Sequence, residues 1–362
     1  MKKIGIVGQG NISGAYLSNI GKTFPNIQLA GTCDLVREKA ENQAKAYGVP
    51  KIYNDMYELF ADPEVDIVLN ITRPNDHYGV TKAALLAGKH VYSEKPLATN
   101  MEDAKELVAL AQEKGLYLGG APDTFMGAGI QTSRNLIDAG LIGKPIAAQA
   151  HFLGHGPESW HPDPYFFFEK GGGPMLDMGP YYITTLVNIF GRATDVTAFG
   201  SVSFPDRVIG SEPHKGDVIH VEVDTFTTGA IRFESGAVAS YTASFDVYTD
   251  MYDMLMIYGT EGTLKIPDPN RFDGVVKVFK PGTGWQDYPL TFPYSEPSRS
   301  LGLADMAKAI EEGITPRAGY QQQLHVLDIM TAFSRSNKAG APIHLETPYE
   351  RQRPMWQDEK EF

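Results

Sequence analysis

The segment Lys3-Ile4-Gly5-Ile6-Val7-Gly8-Gln9-Gly10-Asn11-Ile12-Ser13-Gly14 joins a short apolar strand to a glycine-rich turn. Gly8 suits a tight turn, and Gly10 lets the backbone approach a phosphate with no side chain between them. A helix predicted over Ala15–Ile20 would offer N–H groups to the same anion. Ser13 stands where a third glycine is usual, and it is still small enough for close helix–strand packing. The segment predicts a dinucleotide-binding fold.

A second strand, predicted over Ile27–Cys33, ends at Asp34. An acidic side chain at this position accepts hydrogen bonds from the adenosine ribose and repels a 2′-phosphate. The pattern therefore favours NAD, with NADP less favoured. Arg37 lies three residues further on, where it would either attract a 2′-phosphate or remain a solvated helix charge.

Strands and helices continue to alternate through the first third of the chain. The apolar run Asp66–Ile71 is typical of a strand buried on both faces of a parallel sheet. Thr72, Pro74 and His77 follow that strand, and Glu94-Lys95-Pro96 follows the next one. Ligands bind at the carboxyl ends of such strands, so these residues are candidates for the same site.

Composition limits the possible partners. The chain has 362 residues, a net charge of −12 and a pI of about 5.2, which disfavours nucleic acid and anionic membranes. A single cysteine, Cys33, gives no reason to expect an oxidising compartment. No signal core, membrane-length apolar run or zinc-like ligand spacing is evident, so a cytoplasmic protein without a bound metal is expected.

The regular alternation of strands and helices ends after about residue 121. A helix is predicted over Gly127–Ala139 and a strand over Pro145–Leu153, followed by a long irregular segment, residues 155–173. A loop of this length inside a compact domain is usually functional. Trp160 and His161 combine a stacking surface with a polar group, which suits a small polar ligand. The aromatic run at residues 166–168 is expected only to pack the loop down.

The motifs together resemble one known family. Gly8-x-Gly10-Asn11-Ile12, Asp34, Thr72-x-Pro74-x-x-His77 and Glu94-Lys95-Pro96, in this order and spacing, are similar to the glucose-fructose oxidoreductase / inositol dehydrogenase / rhizopine catabolism (Gfo/Idh/MocA) family. The resemblance implies an α/β protein with an N-terminal Rossmann domain and a C-terminal α+β domain that has a large, mostly antiparallel open sheet. The implied boundaries are 1–122 and 123–362. The resemblance implies NAD binding by Gly8, Gly10, Asn11, Ile12, Asp34, Thr72, Pro74, His77, Glu94 and Lys95.

The resemblance extends to residues 171–181. Gly171-Gly172-Gly173 followed by Asp177 is similar to a glycine-rich segment of the family, in which many members have histidine where this chain has Tyr181. A tyrosine near a lysine is a workable acid–base pair, because an ammonium group favours the phenolate. We expect Lys95, Asp177 and Tyr181 to meet across the interdomain cleft as the catalytic group. His161 is the alternative proton relay, and Trp160 is a further substrate contact.

The expected activity is hydride transfer between NAD and a sugar, polyol or related hydroxylated small molecule. An NAD-retaining enzyme that cleaves glycosides by oxidation and elimination is an alternative. A non-catalytic sugar or NAD sensor on the same fold is another.

The rest of the chain is strand-rich, with few helices to cover the sheet. Alternation predicts sheet strands at Ile219–Asp224 and Ala237–Phe245 and a hairpin at Tyr258–Leu264. The available helices are Ile183–Phe190, Ser300–Glu312 and Gln321–Ser336. One sheet face is therefore expected to pair with a second subunit in a homodimer or homotetramer.

Overall fold

A computed structural model describes residues 1–249, 252, 254–357 and 361–362, and the chain divides into two compact units. The first contains Met1–Met126, Glu296–Leu324 and the described residues 361 and 362. The second contains the described residues of Gly127–Ser295 and His325–Gln357. The domain boundary at residues 122 and 123 stays a prediction. The return of Glu296–Leu324 to the first unit was not anticipated, because nothing local in that segment marks which sheet it joins.

The described strands, in chain order, are β1 Lys2–Val7, β2 Ile27–Cys33, β3 Ile67–Asn70, β4 His90–Ser93, β5 Leu118–Gly120, β6 Pro145–Leu153, β7 Ala193–Ser201, β8 Asp206–Val208, β9 Val218–His220, β10 Phe226–Phe233, β11 Val238–Ser244, β12 Leu255–Gly259, β13 Thr263–Ile266, β14 Val276–Lys280, β15 Gly284–Tyr288 and β16 Ile343–His344. The described α-helices are α1 Ser13–Leu17, α2 Arg37–Tyr47, α3 Met56–Ala61, α4 His77–Leu86, α5 Met101–Glu113, α6 Ala128–Asp138, α7 Gly173–Phe190, α8 Leu301–Glu312 and α9 Tyr320–Ala339.

The first unit contains a parallel sheet with the strand order β2-β1-β3-β4-β5. All four residues of β3 are buried, as the continuous apolar run predicted. Helix α5 begins where Asn100 accepts a hydrogen bond from the Asp103 N–H, 2.9 Å away. Strand order reverses around β1, which places the ligand-binding edge of such a sheet beside the glycine-rich turn.

The second unit contains a mixed sheet, whose described strands run in the order β15-β14-β13-β12-β6-β11-β10-β7-β16. Only the β6–β11 pair is parallel among these pairings, so the predicted mostly antiparallel sheet is confirmed. Helix α7 packs on β6, β10 and β11, and Phe333 of α9 contacts Tyr241 of β11. The side chains that alternate along the strands with those packed under α7 and α9 point to the opposite face of the sheet. One of them, Phe199, is 71% exposed.

Two expectations about this second sheet were wrong. Helix α8 does not cover it, because α8 contacts β2 and β5 of the first sheet. The segment predicted as a sheet strand at Ile219–Asp224 contributes only β9, which pairs with β8 in a separate hairpin. Alternation in sequence reports a strand with two different faces, but it does not say which sheet the strand joins.

Candidate functional site

Four strand ends of the first sheet lie side by side. Val7 pairs in register with Cys33 and Asn70, and Asn70 pairs with Ser93. The residues that follow these strand ends therefore share one edge of the sheet. They include Gly8, Asp34, Thr72, Glu94 and Lys95, which are all sequence-predicted site residues.

The glycine-rich turn has the backbone that the sequence implied. Gly8 has a φ of +96°, and a Cβ there would lie 2.9 Å from the Ile71 carbonyl oxygen, so a larger residue would clash. At Gly10 no described atom lies within 4 Å of the position that a Cβ would take, which leaves the approach open. The Ser13 hydroxyl donates to the Gly10 carbonyl at 2.7 Å, closing the turn. Asn11 and Ile12 lie between them, with Asn11 exposed.

Asp34 lies against this turn. Its carboxylate accepts hydrogen bonds from the backbone N–H groups of Gln9 at 2.6 Å and Val36 at 2.7 Å. Arg37 is directed elsewhere, since its guanidinium binds Glu41 and Asn54. The arrangement places the Asp34 carboxylate beside the turn and directs Arg37 to Glu41 and Asn54, which is an electrostatic setting that disfavours a 2′-phosphate.

His77 is buried between the turns that follow β3 and β4. Its ring is 1% exposed, with Nδ1 2.8 Å from the Pro96 carbonyl oxygen and Nε2 3.1 Å from the Thr72 carbonyl oxygen. Burial lowers the pKa of His77, although both carbonyls favour the charged ring. Thr72 bonds to Asn70 at 2.7 Å, and Pro74 begins a short turn before α4. The ring thus connects the two turns that follow β3 and β4.

Glu94 and Lys95 occupy the turn after β4. Lys95 is half-buried, whereas Glu94 is 7% exposed and accepts hydrogen bonds from the Tyr16 hydroxyl at 2.6 Å and the Lys95 backbone N–H at 3.0 Å. Burial alone would raise the pKa of the Glu94 carboxyl. The nearby Arg299 and Lys95 charges and the Tyr16 hydrogen bond hold that pKa below its ordinary value. Glu94 is therefore a buried anion next to the candidate catalytic lysine.

Asp177 and Tyr181 lie on α7 of the second unit. The sequence predicted a helix from Ile183, but α7 begins at Gly173, so Asp177 and Tyr181 both lie inside it. Four residues apart, they occupy the same face of the helix. Asp177 is half-buried and Tyr181 is buried. Burial raises the pKa of Tyr241 on the neighbouring strand, and the Asp177 charge adds to that effect.

Trp160 and His161 lie in the segment 155–173 of the second unit. Trp160 is 66% exposed, and its ring meets the His161 ring edge-to-face with centroids 5.5 Å apart. His161 Nδ1 accepts a hydrogen bond from the Asp163 N–H at 3.1 Å, which directs Nε2 to other partners. Phe167 and Phe168 are buried with the hairpin, so the expected packing role of this aromatic run is confirmed.

A buried ionic cluster anchors this loop, and the sequence did not reveal it. Arg207 of β8 is 3% exposed and bonds to Glu158 at 2.8 Å, to Asp246, and to the carbonyls of His155 at 3.0 Å and Phe245 at 2.9 Å. These partners lie 38 to 52 residues away along the chain. No local motif marks such a contact.

The β8–β9 hairpin also bonds to the loop next to Trp160 and His161, the candidate substrate contacts. The Ser211 hydroxyl donates to the His161 carbonyl at 2.5 Å, and the Gly210 N–H donates to the Glu158 carbonyl at 2.9 Å. Ile209 and Ile219 pack with the loop phenylalanines. The position of Trp160 and His161 therefore depends on the β8–β9 hairpin.

Family models match both parts of the chain. Residues 2–120 match the NAD-binding Rossmann fold of the GFO/IDH/MocA oxidoreductase family, and residues 130–265 match a C-terminal domain of the same family. The chain belongs to the GFO/IDH/MocA oxidoreductase family. The resemblance stated from the motifs, the fold class and NAD as the cofactor of this fold are confirmed.

Individual relatives of the GFO/IDH/MocA chain are moderately similar. A 1,5-anhydro-D-fructose reductase from Ensifer adhaerens is 32% identical over 63% of this chain and 64% of the reductase, a little under two thirds of its length. A myo-inositol 2-dehydrogenase from Thermotoga maritima is 28% identical over 72% of this chain and 74% of that enzyme. A solved levoglucosan dehydrogenase with NADH and L-sorbose superimposes with a TM-score of 0.83 at 22% identity, covering 96% and 99% of the two chains, which shows the fold.

Proposed function

We propose that this family member is an NAD-dependent oxidoreductase that transfers a hydride between a sugar, polyol or related hydroxylated small molecule and the nicotinamide. The observation that carries the proposal is the aligned edge of the first sheet, where Gly8, Asp34 and Lys95 follow β1, β2 and β4, whose ends are in register through β3. The names of the relatives support the substrate class, because they refer to inositol and anhydrofructose.

NAD would be held by the predicted cofactor residues of the first unit and would supply the hydride acceptor. The open backbone at Gly10 suits a pyrophosphate, and the Asp34 carboxylate suits ribose hydroxyls. We assign Lys95 to the reacting hydroxyl, where its ammonium would stabilise the developing negative charge. His77 supports the adjoining turn from within the unit.

The proton would be handled by side chains of the second unit. In this proposal Tyr181 accepts the proton of the substrate hydroxyl. Asp177 orients the substrate, and Trp160 packs on the ring of the substrate. His161 is the alternative proton acceptor. The reaction balances as an alcohol and NAD⁺ giving a carbonyl, NADH and a proton.

A substrate panel tests the proposal. The protein is incubated with NAD⁺ and myo-inositol, levoglucosan or L-sorbose, and with NADH and 1,5-anhydro-D-fructose, while NADH absorbance is followed. We expect turnover of at least one compound, and its absence in Lys95→Ala. Glycoside cleavage without net NADH formation would favour the oxidation–elimination enzyme instead. Tight NADH and sugar binding without any chemistry would favour a sensor.

Cofactor preference follows from the same carboxylate. We propose that NADH binds more tightly than NADPH, because Asp34 would face the 2′-phosphate while Arg37 is engaged by Glu41 and Asn54. Fluorescence titration with both reduced cofactors decides the point, and equal or tighter NADPH binding would contradict it.

Assembly and location complete the proposal. The exposed sheet face that carries Phe199 supports a homodimer or homotetramer formed through this sheet, which light scattering would detect. The single, buried thiol of Cys33 supports a cytoplasmic location, which cell fractionation would test. Within the part of the chain that the structure describes, no helix combines the length and apolarity needed to cross a bilayer.

A further inference from the structure

Tyr16 lies at the centre of a buried link within the first unit. It is on α1, directly after the glycine-rich turn, and its ring is fully buried. Its hydroxyl donates to Glu94 Oε1 at 2.6 Å, although the two residues are 78 positions apart. A hydroxyl–carboxylate bond of this length is charge-assisted and about twice as strong as a neutral one. The phosphate-binding turn and the turn after β4 are thereby joined.

The second oxygen of Glu94 fixes the backbone of Lys95. Oε2 accepts from the Lys95 N–H at 3.0 Å, while the Glu94 N–H itself donates to the Asn70 carbonyl at 2.7 Å. Each carboxylate oxygen thus has its own partner, and the side chain is 7% exposed. This geometry directs the Glu94 carboxylate inward, to the turn.

The segment Glu296–Leu324, which belongs to the first unit, supplies a positive charge, Arg299, near the buried carboxylates of Asp123 and Glu94. Arg299 is 3.2 Å from Asp123, whose other oxygen accepts from the Ser300 N–H at 3.0 Å. The Arg299 charge also acts on Glu94. Ser300 has a left-handed φ of 87°, and its hydroxyl donates to the Tyr16 carbonyl at 3.3 Å. Tyr16 is therefore held at both its main chain and its hydroxyl.

We propose that Tyr16 is a positioning residue for the reaction, acting through Glu94 to hold the backbone turn that presents Lys95. The inference rests on the proposed function, in which Lys95 binds the reacting hydroxyl. Removing the Tyr16 hydroxyl leaves a buried carboxylate oxygen without its donor, so the Glu94 side chain and the Lys95 N–H lose their fixed geometry. A small displacement of a catalytic group lowers the rate of the chemical step more than it lowers cofactor binding.

The first unit offers a matched control. Tyr53 is 2% exposed, and its hydroxyl donates to Asp62, which is also paired with a cation, Lys51. Tyr53→Phe therefore removes a tyrosine–carboxylate hydrogen bond, as Tyr16→Phe does, although the bond to Asp62 is only partly buried. Its partner carboxylate does not adjoin Lys95 in the chain.

The experiment compares Tyr16→Phe and Tyr53→Phe in the full-length protein. For the fastest panel substrate we expect kcat to fall by about tenfold in Tyr16→Phe, the effect of one lost hydrogen bond to a charged group, and by less than about twofold in Tyr53→Phe. NADH affinity, titrated by fluorescence, should stay within about threefold in both. Hydrogen exchange of the peptide that contains the Lys95 amide should become faster only in Tyr16→Phe.

Each other outcome has a defined meaning. Equal losses of kcat in the two variants, or a loss of NADH affinity as large as the loss of kcat, would overturn the proposal. Glu94→Ala is the second variant, because it removes the acceptor of the Lys95 N–H, and unchanged exchange there would also overturn the proposal. If the wild-type protein turns over no panel compound, the proposed function fails. Hydrogen exchange at Lys95 then tests the link from Tyr16 through Glu94 to the Lys95 backbone without any activity measurement. Faster exchange in Tyr16→Phe would support this link, and unchanged exchange would overturn it.

Discussion

The turn at Lys95 and the loop at Trp160 are held in opposite ways. Beside Lys95 the supporting groups are buried, and they bond to main-chain atoms of the same sheet edge, as His77 does to the Pro96 carbonyl. Trp160 is largely exposed, and its loop is anchored by a separate hairpin through Arg207. The proposed cofactor residues thus belong to the core of the first unit, whereas the loop that carries Trp160 is fixed by a hairpin outside the main sheet of the second unit.

This difference predicts different effects for substitutions at the two places. A substitution in the hairpin or the loop can alter what lies beside Trp160 without disturbing a hydrogen bond of the first sheet. A substitution next to Lys95 disturbs a core turn and the chemistry together. We expect substitutions in the loop to change which substrate the protein binds, while NAD binding is retained.

Loss of the lysine ammonium should have the largest effect. Lys95→Ala is expected to lower kcat by about 100-fold or more, because positioned acid–base and charge-stabilising groups contribute about that much. NADH affinity should change by no more than a few-fold. Lys82→Ala, which removes a surface lysine paired with Glu106, is the control and should stay within about twofold. A loss below about tenfold in Lys95→Ala would contradict the assignment.

The proton relay should show the next largest effect. Tyr181→Phe is expected to lower kcat by about 100-fold. Tyr182→Phe is the matched control, because the next tyrosine on α7 stacks on Tyr241 in the core. If Tyr181→Phe keeps near-full activity while His161→Ala does not, the proton path belongs to the loop and the assignment to α7 is wrong.

Releasing the loop anchor should affect substrate binding. Arg207→Met leaves Glu158 and Asp246 buried without their cation, which is strongly unfavourable. We expect the substrate KM to rise by about tenfold and hydrogen exchange across residues 155–173 to become faster. NADH affinity should be unchanged. The control is Arg271→Met, which removes an exposed pair with Asp273. An unchanged KM would show that the loop keeps its position without the anchor.

The smallest expected effect lies in the core beneath the second sheet. His325 is buried, its Nε2 accepts from the Ala193 N–H at 3.0 Å, and its Nδ1 bonds to Thr347 at 2.8 Å. Thr347 donates in turn to Asp328, so the ring is neutral with its proton on Nδ1. Burial lowers the pKa of His325 from 6.5 to about 4.

The sign of the pH effect follows from that shift. Above pH 6.5 the imidazole is neutral in both the folded and the unfolded states. Below this value the unfolded chain binds a proton that the folded protein does not bind until the pH nears about 4, so stability falls with the pH. Between about pH 7.5 and about pH 5.5, His325 should cost about 1 kcal/mol. Urea unfolding of the wild-type protein and His325→Gln checks this, because the variant should lose that part of the slope. Parallel pH profiles would refute it.

The sequence alone was enough for the parts of the protein that depend on local backbone rules. Gly8 must be glycine because of its positive φ and the nearby Ile71 carbonyl, and such a requirement is visible in a short motif. Asp34 and Lys95 were predictable because each lies within two residues of a strand end, and the parallel alternation brings strand ends to one edge. Their order and spacing also carried the family resemblance.

The tertiary structure decided what depends on contacts between distant residues. The Tyr16–Glu94 bond spans 78 positions, and the Arg299–Asp123 pair spans 176. Helix α8 packs on the first sheet, and the segment predicted as a strand at Ile219–Asp224 contributes to a hairpin that bonds to the loop carrying Trp160 and His161. A hydrophobic or alternating pattern reports only that a segment has a buried face. Which surface buries that face is set by the free energy of packing the whole chain, and no short segment contains it.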